Sequence, residues 1–260
     1  MSEHGVQLRI NGPGLLTVLV CLLAWEVVIR AALVQYDYLP APSAIAAGLA
    51  ELVTTGQLAA DVGHTLLAVF LGWVLAVTVG ISLGMMMGLS PTLRAYLLAS
   101  VEVLRPLPGI AFVPVALLLF GFSLRTELVV VVLPALWPVL VNVMGGITGV
   151  HQRLFDVGAT FRLPRMTLVL KILLPAALPS ILVGMRLSLT LALVLAIVAE
   201  MVGNPNGLGY AIIRDQQALR PDLMFANLFV IGVIGITLNA MLMSGMWLLF
   251  PSAASMARAP

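Results

Sequence analysis

Charged residues are scarce in this sequence. Asp, Glu, Lys and Arg together make up 9% of its 260 residues, whereas soluble domains carry about 25%. Hydrophobic residues account for 61% of the chain. So few charges cannot cover a surface that faces water on all sides, so lipid must cover much of it. The composition excludes an ordinary soluble domain and indicates an integral membrane protein.

Cysteine and histidine are also rare, which excludes several kinds of site. Cys21 is the one cysteine, so an internal disulfide or a cluster of thiolate ligands is ruled out. The three histidines, His4, His64 and His151, are far apart and show no metal-ligand spacing. The sequence shows no phosphate-binding loop, nucleophile elbow or carboxylate pair, and its net charge of +2 is too small for nucleic-acid binding. We therefore expect no catalytic residue, metal site or cofactor in this chain; any ATP that drives it would be bound by another polypeptide.

Six apolar runs are long enough to cross a bilayer, which takes roughly 20 helical residues. Two runs contain charges: the first has Glu26 and Arg30, and the fifth has Arg186 and Glu200. A central charge costs about 2.5 to 3.5 kcal/mol, which the many Leu, Ile and Val residues around it can offset. An uncleaved first helix is favoured over a signal peptide, because no clear cleavage site follows a short apolar core. The predicted spans are residues 15–34, 62–89, 106–123, 127–148, 177–202 and 223–250.

The sequence thus predicts an all-α membrane protein of six helices, with the core of the protein over residues 62–250. Residues 1–14 and 251–260 are terminal segments, and the loops are 35–61, 149–176 and 203–222, the first with a short amphipathic helix. With the N-terminus inside, seven basic residues fall in inner segments and four in outer loops. Because inner loops are enriched in Lys and Arg, we expect both termini in the cytoplasm.

Ionisable residues and helix breaks at membrane depth are the default functional candidates. Two prolines in Arg105–Gly109 remove backbone donors, and the freed carbonyls could line a path, although a plain bend at the inner surface is the simpler interpretation. Glu102 and Arg105 share a helix face and could form an ion pair there. Arg186 is expected to have a structural role, and Glu200 to lie near an outer helix end where water reaches it. The candidates for a translocation path or gate are Pro106, Pro108, Gly109, Asn142, Arg186 and Glu200.

The inner loop over residues 149–176 is the most informative segment. Residues 156–165 are expected to form a short helix that opens with Asp156, because an acid suits a helix N-terminus. A turn at Leu163-Pro164 follows, and a basic amphipathic stretch leads back to the membrane. Such a helix beneath the bilayer could anchor in the headgroups or dock into a partner protein.

This loop resembles the EAA loop of permease subunits of bacterial ABC importers. The family pattern is Glu-Ala-Ala, three residues, Gly, about nine residues, and Ile-x-Leu-Pro. Aligned on Pro175, the family Glu falls on Asp156, the two Ala on Val157 and Gly158, and the closing pattern on Ile172–Pro175. Three later elements resemble the nitrate, sulfonate and taurine branch of these permeases, and the likeness runs from about 64 to 249. These elements are Gly184–Leu187, Ala199–Gly203 and Gly207–Tyr210.

The resemblance implies a type I permease subunit of the bacterial inner membrane, which is not itself an enzyme. Two such subunits, as a homodimer or a paralogous heterodimer, would form the pathway for a small, often anionic solute. Two cytoplasmic ATPases would bind ATP and Mg, and an external solute-binding protein would deliver the solute. The residues implied to couple the subunit to the ATPase are Asp156, Val157, Gly158, Ala159, Thr160, Phe161, Arg162, Leu163 and Pro164. Ile172, Leu174 and Pro175 close the pattern at the entry to the fifth helix. The residues implied to face the binding protein are Gly207, Leu208, Gly209 and Tyr210.

Arg162 departs from the family pattern, because the family glycine falls on this position. That glycine ends the short helix, where a left-handed residue is common. A non-glycine residue in that conformation costs about 1 to 2 kcal/mol. Either the turn differs here, or the strain is tolerated.

Two other functions are compatible with the composition. The first is an ATP-independent secondary transporter that uses Glu102 or Glu200 as a proton site. The second is a membrane-embedded enzyme, which the absence of any reactive constellation makes the weakest of the three hypotheses.

Overall fold

The computed structural model describes residues 12–31 and 38–249, and this part of the chain is helical, without β-strands. The expected terminal segments and the end of the first span lie partly outside these residues. The helices are α1 Gly12–Arg30, α2 Pro42–Thr54, α3 Gln57–Leu89, α4 Pro91–Leu104, α5 Val113–Phe120, α6 Leu124–Thr148, α7 Gln152–Thr160, α8 Arg165–Leu168, α9 Leu174–Gly203, α10 Leu208–Gln217 and α11 Pro221–Leu249. A 3₁₀ turn, Gly109–Phe112, precedes α5, and a π turn, Val169–Leu173, joins α8 to α9.

Five described helices are long and apolar enough to cross a membrane. They are α1, α3, α6, α11 and the rod that α8 and α9 form over Arg165–Gly203. A sixth crossing is possible if α4 and Gly109–Phe120 count as one span, bent by 84° at the residues between them. The prediction of an all-α protein with about six spans is therefore confirmed.

Several predicted boundaries differ from the observed ones. The third span, predicted over 106–123, is helical over Gly109–Phe120, because the chain stays non-helical up to Pro108, where the two prolines predict a break. α3 begins at Gln57 rather than 62, and it includes Asp61, which lies 3.8 Å from Arg214 of α10. α6 begins at Leu124 rather than 127, and the outer loop 203–222 contains α10.

The core of the bundle is formed by α3, α6 and α9. Small residues recur every four positions along one face of α3, which lets the backbones of α3 and α6 approach closely. A Cβ on Gly84 would lie 2.7 Å from both the Leu140 carbonyl and the Val143 Cβ. The residues of this stripe are Gly72, Ala76, Gly80, Gly84 and Gly88.

The first helix lies at the periphery, and none of its described side chains is buried. Its two charges sit near its end, as expected, and they bind the start of α2. Glu26 accepts hydrogen bonds from the Ser43 N–H at 3.0 Å and the Ser43 hydroxyl at 2.7 Å. Arg30 pairs with Glu26 and donates to Ser43 Oγ at 2.9 Å. Mutual pairing makes these charges compatible with a transmembrane helix.

Candidate functional sites

The short helix of the inner loop is α7, which lies between α6 and α8. The expectation that it opens at Asp156 is wrong, because it begins four residues earlier, at Gln152. The His151 ring accepts a hydrogen bond from the Arg153 N–H at 3.2 Å and so caps this end. Asp156 is therefore an exposed residue in the middle of the helix.

Arg162 adopts the left-handed conformation, with φ +47°. The Leu163 N–H donates to the Gly158 carbonyl at 3.0 Å, the bond that closes a Schellman-type helix end. The turn typical of the family glycine is therefore present, and an arginine tolerates its strain.

The two sides of this loop differ in exposure. Gly158 is buried, and a Cβ there would lie 2.5 Å from Leu168 Cδ1, so this side packs against α8. Phe161 and Met166 are 71% and 69% exposed. The loop thus presents two large apolar side chains away from the bundle. Thr160 and Pro164 are also exposed, whereas the side chains of Val157 and Ala159 lie outside the described part.

The closing pattern of the loop lies where the chain re-enters the bundle. Ile172 lies in the π turn, and Leu174 and Pro175 are the first two residues of α9. Proline has no N–H and its ring crowds the carbonyl four residues earlier, so a wider π turn just before Pro175 is physically reasonable. Ile172 and Leu174 are half-buried, and Leu173 is 1% exposed. The loop is therefore continuous with a helix that runs through the core.

The break after α4 lies beside the middle of α6, and its side chains are exposed on the single chain. Gly109 packs directly against Pro134, near the middle of α6. The interpretation of residues 105–109 as a bend at the inner surface is therefore wrong. Transporters place helix breaks of this kind at the membrane midplane, where the freed backbone lines a cavity. Pro106 and Pro108 are both exposed at the break.

A groove of about 430 Å³ opens beside this break, between α6 and α9. The charged group on its lining is the guanidinium of Arg105, and Asn142 and Trp137 lie on the α6 side. The expected ion pair between Glu102 and Arg105 is not formed, and both side chains are exposed. Asn142 donates its amide to the Pro138 carbonyl at 2.8 Å. The groove therefore carries a positive charge with no carboxylate partner among the described residues.

Arg186 binds within the bundle rather than at the inner surface. Its Nε donates to Asn239 Oδ1 of α11 at 2.8 Å. The side chain is otherwise exposed on the single chain. This bond joins α9 to α11, and the role of Arg186 stays a prediction.

Glu200 is completely buried, with 0% exposure. The expectation that water reaches it is wrong, because the chain after α9 folds back over it. Its Oε2 accepts hydrogen bonds from the Gly209 N–H at 2.8 Å and the Thr65 hydroxyl at 3.0 Å. Thr65 Oγ1 in turn accepts the Leu208 N–H at 3.0 Å. Glu200 thus fixes the start of α10 to the ends of α3 and α9.

Glu127 and His64 extend this cluster. The His64 Nε2 lies 3.0 and 3.2 Å from the two carboxylate oxygens of Glu127, which is 1% exposed. The Asn204 amide donates to Glu127 and lies 3.1 Å from His64 Nε2. The donor atoms of His64, Glu127 and Glu200 lie within 4.8 Å of one another. The end of the bundle opposite α7 therefore contains a buried polar cluster built from α3, α6 and α9.

The segment expected to face a binding protein lies under this end rather than on its surface. Gly207, Leu208 and Gly209 are buried, and Tyr210 is partly exposed. Gly207 has φ +94° and touches the Glu200 carboxylate so closely that a Cβ would collide with it. In the single chain, these three residues lie beneath the surface at this end of the bundle.

The cluster was missed in the sequence because its members are widely separated. His64 and Glu127 are 63 residues apart, and Thr65 and Glu200 are 135 apart. Two features of the sequence pointed to the cluster. The polar pair His64-Thr65 lies inside an apolar run, and the acid Glu127 lies at the start of another apolar run. Neither feature alone indicates that the side chains meet.

Comparison with known proteins identifies the family of this chain. The sequence profile of the family "Binding-protein-dependent transport system inner membrane component" matches residues 76–252. A Bacillus subtilis protein described as an aliphatic sulfonates transport permease, SsuC, is 33% identical over 225 residues, which are 85% of this chain and 80% of SsuC. The taurine transport system permease protein TauC of Escherichia coli is 29% identical, over 86% of this chain and 83% of TauC.

The fold is also similar to that of a solved transporter. An inward-facing structure of the MetNI methionine ABC transporter contains a chain that matches with a TM-score of 0.59 and 18% identity, over 73% of this chain and 97% of that one. The two chains therefore share a fold over most of this sequence. An ATP-independent secondary transporter is not favoured by these relationships, and the family consists of permease components rather than enzymes. The chain is a multi-pass membrane protein that belongs to the family of binding-protein-dependent transport system inner membrane components.

Proposed function

We propose that this chain forms the membrane pathway of an ATP-driven importer and receives force from a separate ATPase through α7. The observation that carries this proposal is the exposed apolar surface of the inner loop, at Phe161 and Met166, on a segment continuous with core helix α9. A closing ATPase pair would move α7 and thereby shift α9 against α6. The matching sequence pattern and family membership support the same role.

The partners follow from this role. Two cytoplasmic ATPases would bind ATP and Mg, an external binding protein would deliver the solute, and a second permease copy, identical or paralogous, would complete the pathway. The protein would lie in a bacterial inner membrane with both termini in the cytoplasm, which puts α7 on the ATPase side. The His64–Glu127–Glu200 end would then face outward.

We propose a small anion, such as a sulfonate, taurine or nitrate, as the transported solute. The support comes from the named solutes of the relatives, which include the nitrate import permease protein NrtB of Leptolyngbya laminosa at 28% identity. The guanidinium of Arg105 in the groove beside the helix break is consistent with anion passage.

The coupling role is tested by comparing Phe161→Ala with Phe122→Ala. These two phenylalanines are 71% and 73% exposed and lie beyond opposite ends of α6. Buried aromatic anchors dominate many interfaces, so we expect Phe161→Ala to reduce the ATPase that co-purifies with the tagged chain at least tenfold. Phe122→Ala should leave it unchanged. Equal ATPase recovery in both variants would exclude docking through α7.

The solute role is tested by uptake into cells or proteoliposomes. Radiolabelled taurine, an alkanesulfonate and nitrate are compared with a cationic amine. Arg105→Gln should raise the KM for the transported anion several-fold, whereas Arg94→Gln, on the same helix but outside the groove, should not. Unchanged anion uptake in Arg105→Gln would contradict this part of the proposal and leave the coupling role intact.

A further inference from the structure

Three metal-ligating side chains meet at the end of the bundle opposite α7. His64 of α3, Glu127 of α6 and Glu200 of α9 each offer one donor atom, all within 4.8 Å of one another. The two glutamates are 1% and 0% exposed, and the His64 side chain is 22% exposed. This is a buried set of one nitrogen and two carboxylate donors, unlike the exposed acidic groups common on protein surfaces.

With both carboxylates ionised, the charges of this cluster do not balance. Two buried carboxylates are matched by one imidazole, so even a protonated His64 leaves a net charge of −1. Burial of an uncompensated carboxylate is strongly unfavourable. No Lys or Arg among residues 12–31 and 38–249 pairs with either glutamate, and the nearby Arg214 is engaged by Asp61 and Asp215.

One carboxylate oxygen of the cluster has no hydrogen-bond partner. Glu200 Oε2 accepts bonds from Thr65 and Gly209, but its Oε1 is buried and unpartnered. An ionised Oε1 would be an unsatisfied acceptor, and a proton on Oε1 would find no acceptor. Buried polar atoms are rarely left in this state. A cation at Oε1 would satisfy the oxygen and supply the missing charge.

We propose that His64, Glu127 and Glu200 bind one divalent transition-metal cation of the Zn²⁺ class. Imidazole and carboxylate donors suit Zn²⁺, whereas Mg²⁺ and Ca²⁺ favour all-oxygen sites. A charge of +2 balances both carboxylates when His64 is neutral. The ion joins the outer ends of α3, α6 and α9 beside Asn204, where the chain leaves the core. Its role is structural: it holds the chain after α9 in place.

The test measures metal binding by the full-length chain, purified in detergent and stripped with a chelator. Zn²⁺ is added, and bound metal is quantified by equilibrium dialysis with elemental analysis. We expect one Zn²⁺ per chain and a chelator-reversible rise in melting temperature. His64→Gln and Glu200→Gln should each weaken binding at least about 100-fold, because each removes one of three ligands. His151→Gln and Glu102→Gln, which change the same residue types at exposed positions, should bind like the wild type.

A wild-type measurement keeps the proposal testable if the cluster variants do not fold. Co²⁺ bound in place of Zn²⁺ should give the visible absorption of a low-coordinate N/O site, and Zn²⁺ should abolish it. The proposal is overturned if the wild-type chain binds no stoichiometric Zn²⁺, or if binding survives both His64→Gln and Glu200→Gln. These readouts do not depend on ATPase docking or solute uptake, so failure here leaves the proposed function untouched.

Discussion

The two ends of the helix pair α6 and α9 differ in how their functional residues are held. At one end, α7 and its turn are fixed by contacts between near neighbours, such as the Leu163–Gly158 hydrogen bond, and large apolar side chains are exposed. At the other end, Glu127 and Glu200 are buried and are held by partners far away in the sequence. A docking surface must be exposed to meet a partner, whereas a polar cluster must be closed to exclude water. We expect substitutions at the closed end to affect stability most, and those at the open end to affect partner binding.

The largest effect is expected for Glu200→Ala at the closed end. The change leaves the Thr65 hydroxyl and the Gly209 N–H without their acceptor and opens a cavity, so the loss of stability should be about 3 to 5 kcal/mol. Thermal unfolding in detergent measures it. Glu102→Ala, at an exposed acid on α4, should stay within about 0.5 kcal/mol of the wild type. Similar melting of the two variants would remove the distinction between the closed end and the exposed surface.

The next largest effect is expected in the middle of the bundle, where α3 packs tightly against α6. Gly84→Ala should cost about 1 to 3 kcal/mol, because its Cβ would overlap Val143 and the Leu140 carbonyl. Gly63→Ala is the matched control, since it lies in the same helix with open space around its Cβ position. That change should stabilise the helix by about 0.5 to 1 kcal/mol. Opposite shifts in melting temperature are expected, and shifts of the same sign would contradict the α3–α6 packing.

A smaller effect is expected at the two strained residues, one near each end. Arg162 and Leu219 have φ of +47° and +56°. Replacement of either by glycine should relieve about 1 to 2 kcal/mol of backbone strain, as measured by thermal unfolding. Arg162→Gly should also retain full uptake, because it restores the family residue without changing the turn. A large loss of uptake would show that the Arg162 side chain has a role of its own.

The smallest effect is expected for Arg220→Gln, between α10 and α11. Arg220 contacts Asp222 at 2.7 Å and Glu51 at 2.8 Å, and these carboxylates raise the pKa of the guanidinium above its usual value. Since arginine is then charged at every working pH, the pair contributes no pH dependence through Arg220 itself. Exposed pairs are screened by salt. The melting difference from the wild type should be small at low salt and absent at high salt; a salt-independent difference would indicate a packing role instead.

The coupling loop illustrates what local sequence can predict. Residues 149–176 predict a short helix, a turn and a return to the membrane, and of the two alternatives left open for Arg162 the structure has the left-handed turn. The start of α7 was misplaced because Asp156 suggested a helix N-terminus, whereas the cap comes from His151. The predicted start of α7 is therefore four residues too late, but the helix still leads to the exposed residues Phe161 and Met166.

Glu200 and the residues around Arg105 illustrate what local sequence cannot predict. Position along a helix suggested water near Glu200 and an inner-surface bend near Arg105. The structure instead buries Glu200 beneath Gly207 and sets Gly109 against the middle of α6. Both errors arise because the depth of a residue depends on which helices pack beside it.

Composition and hydropathy by themselves established a helical membrane protein, the approximate number of spans and the short helix at the inner loop. These properties depend on neighbouring residues, because helical hydrogen bonds and the transfer of a segment into lipid both act over short stretches of chain. Only the tertiary structure decided that His64, Glu127 and Glu200 share one buried site and that the helix break lies beside the middle of α6. Those outcomes depend on how α3, α6 and α9 pack, which brings together side chains more than sixty residues apart.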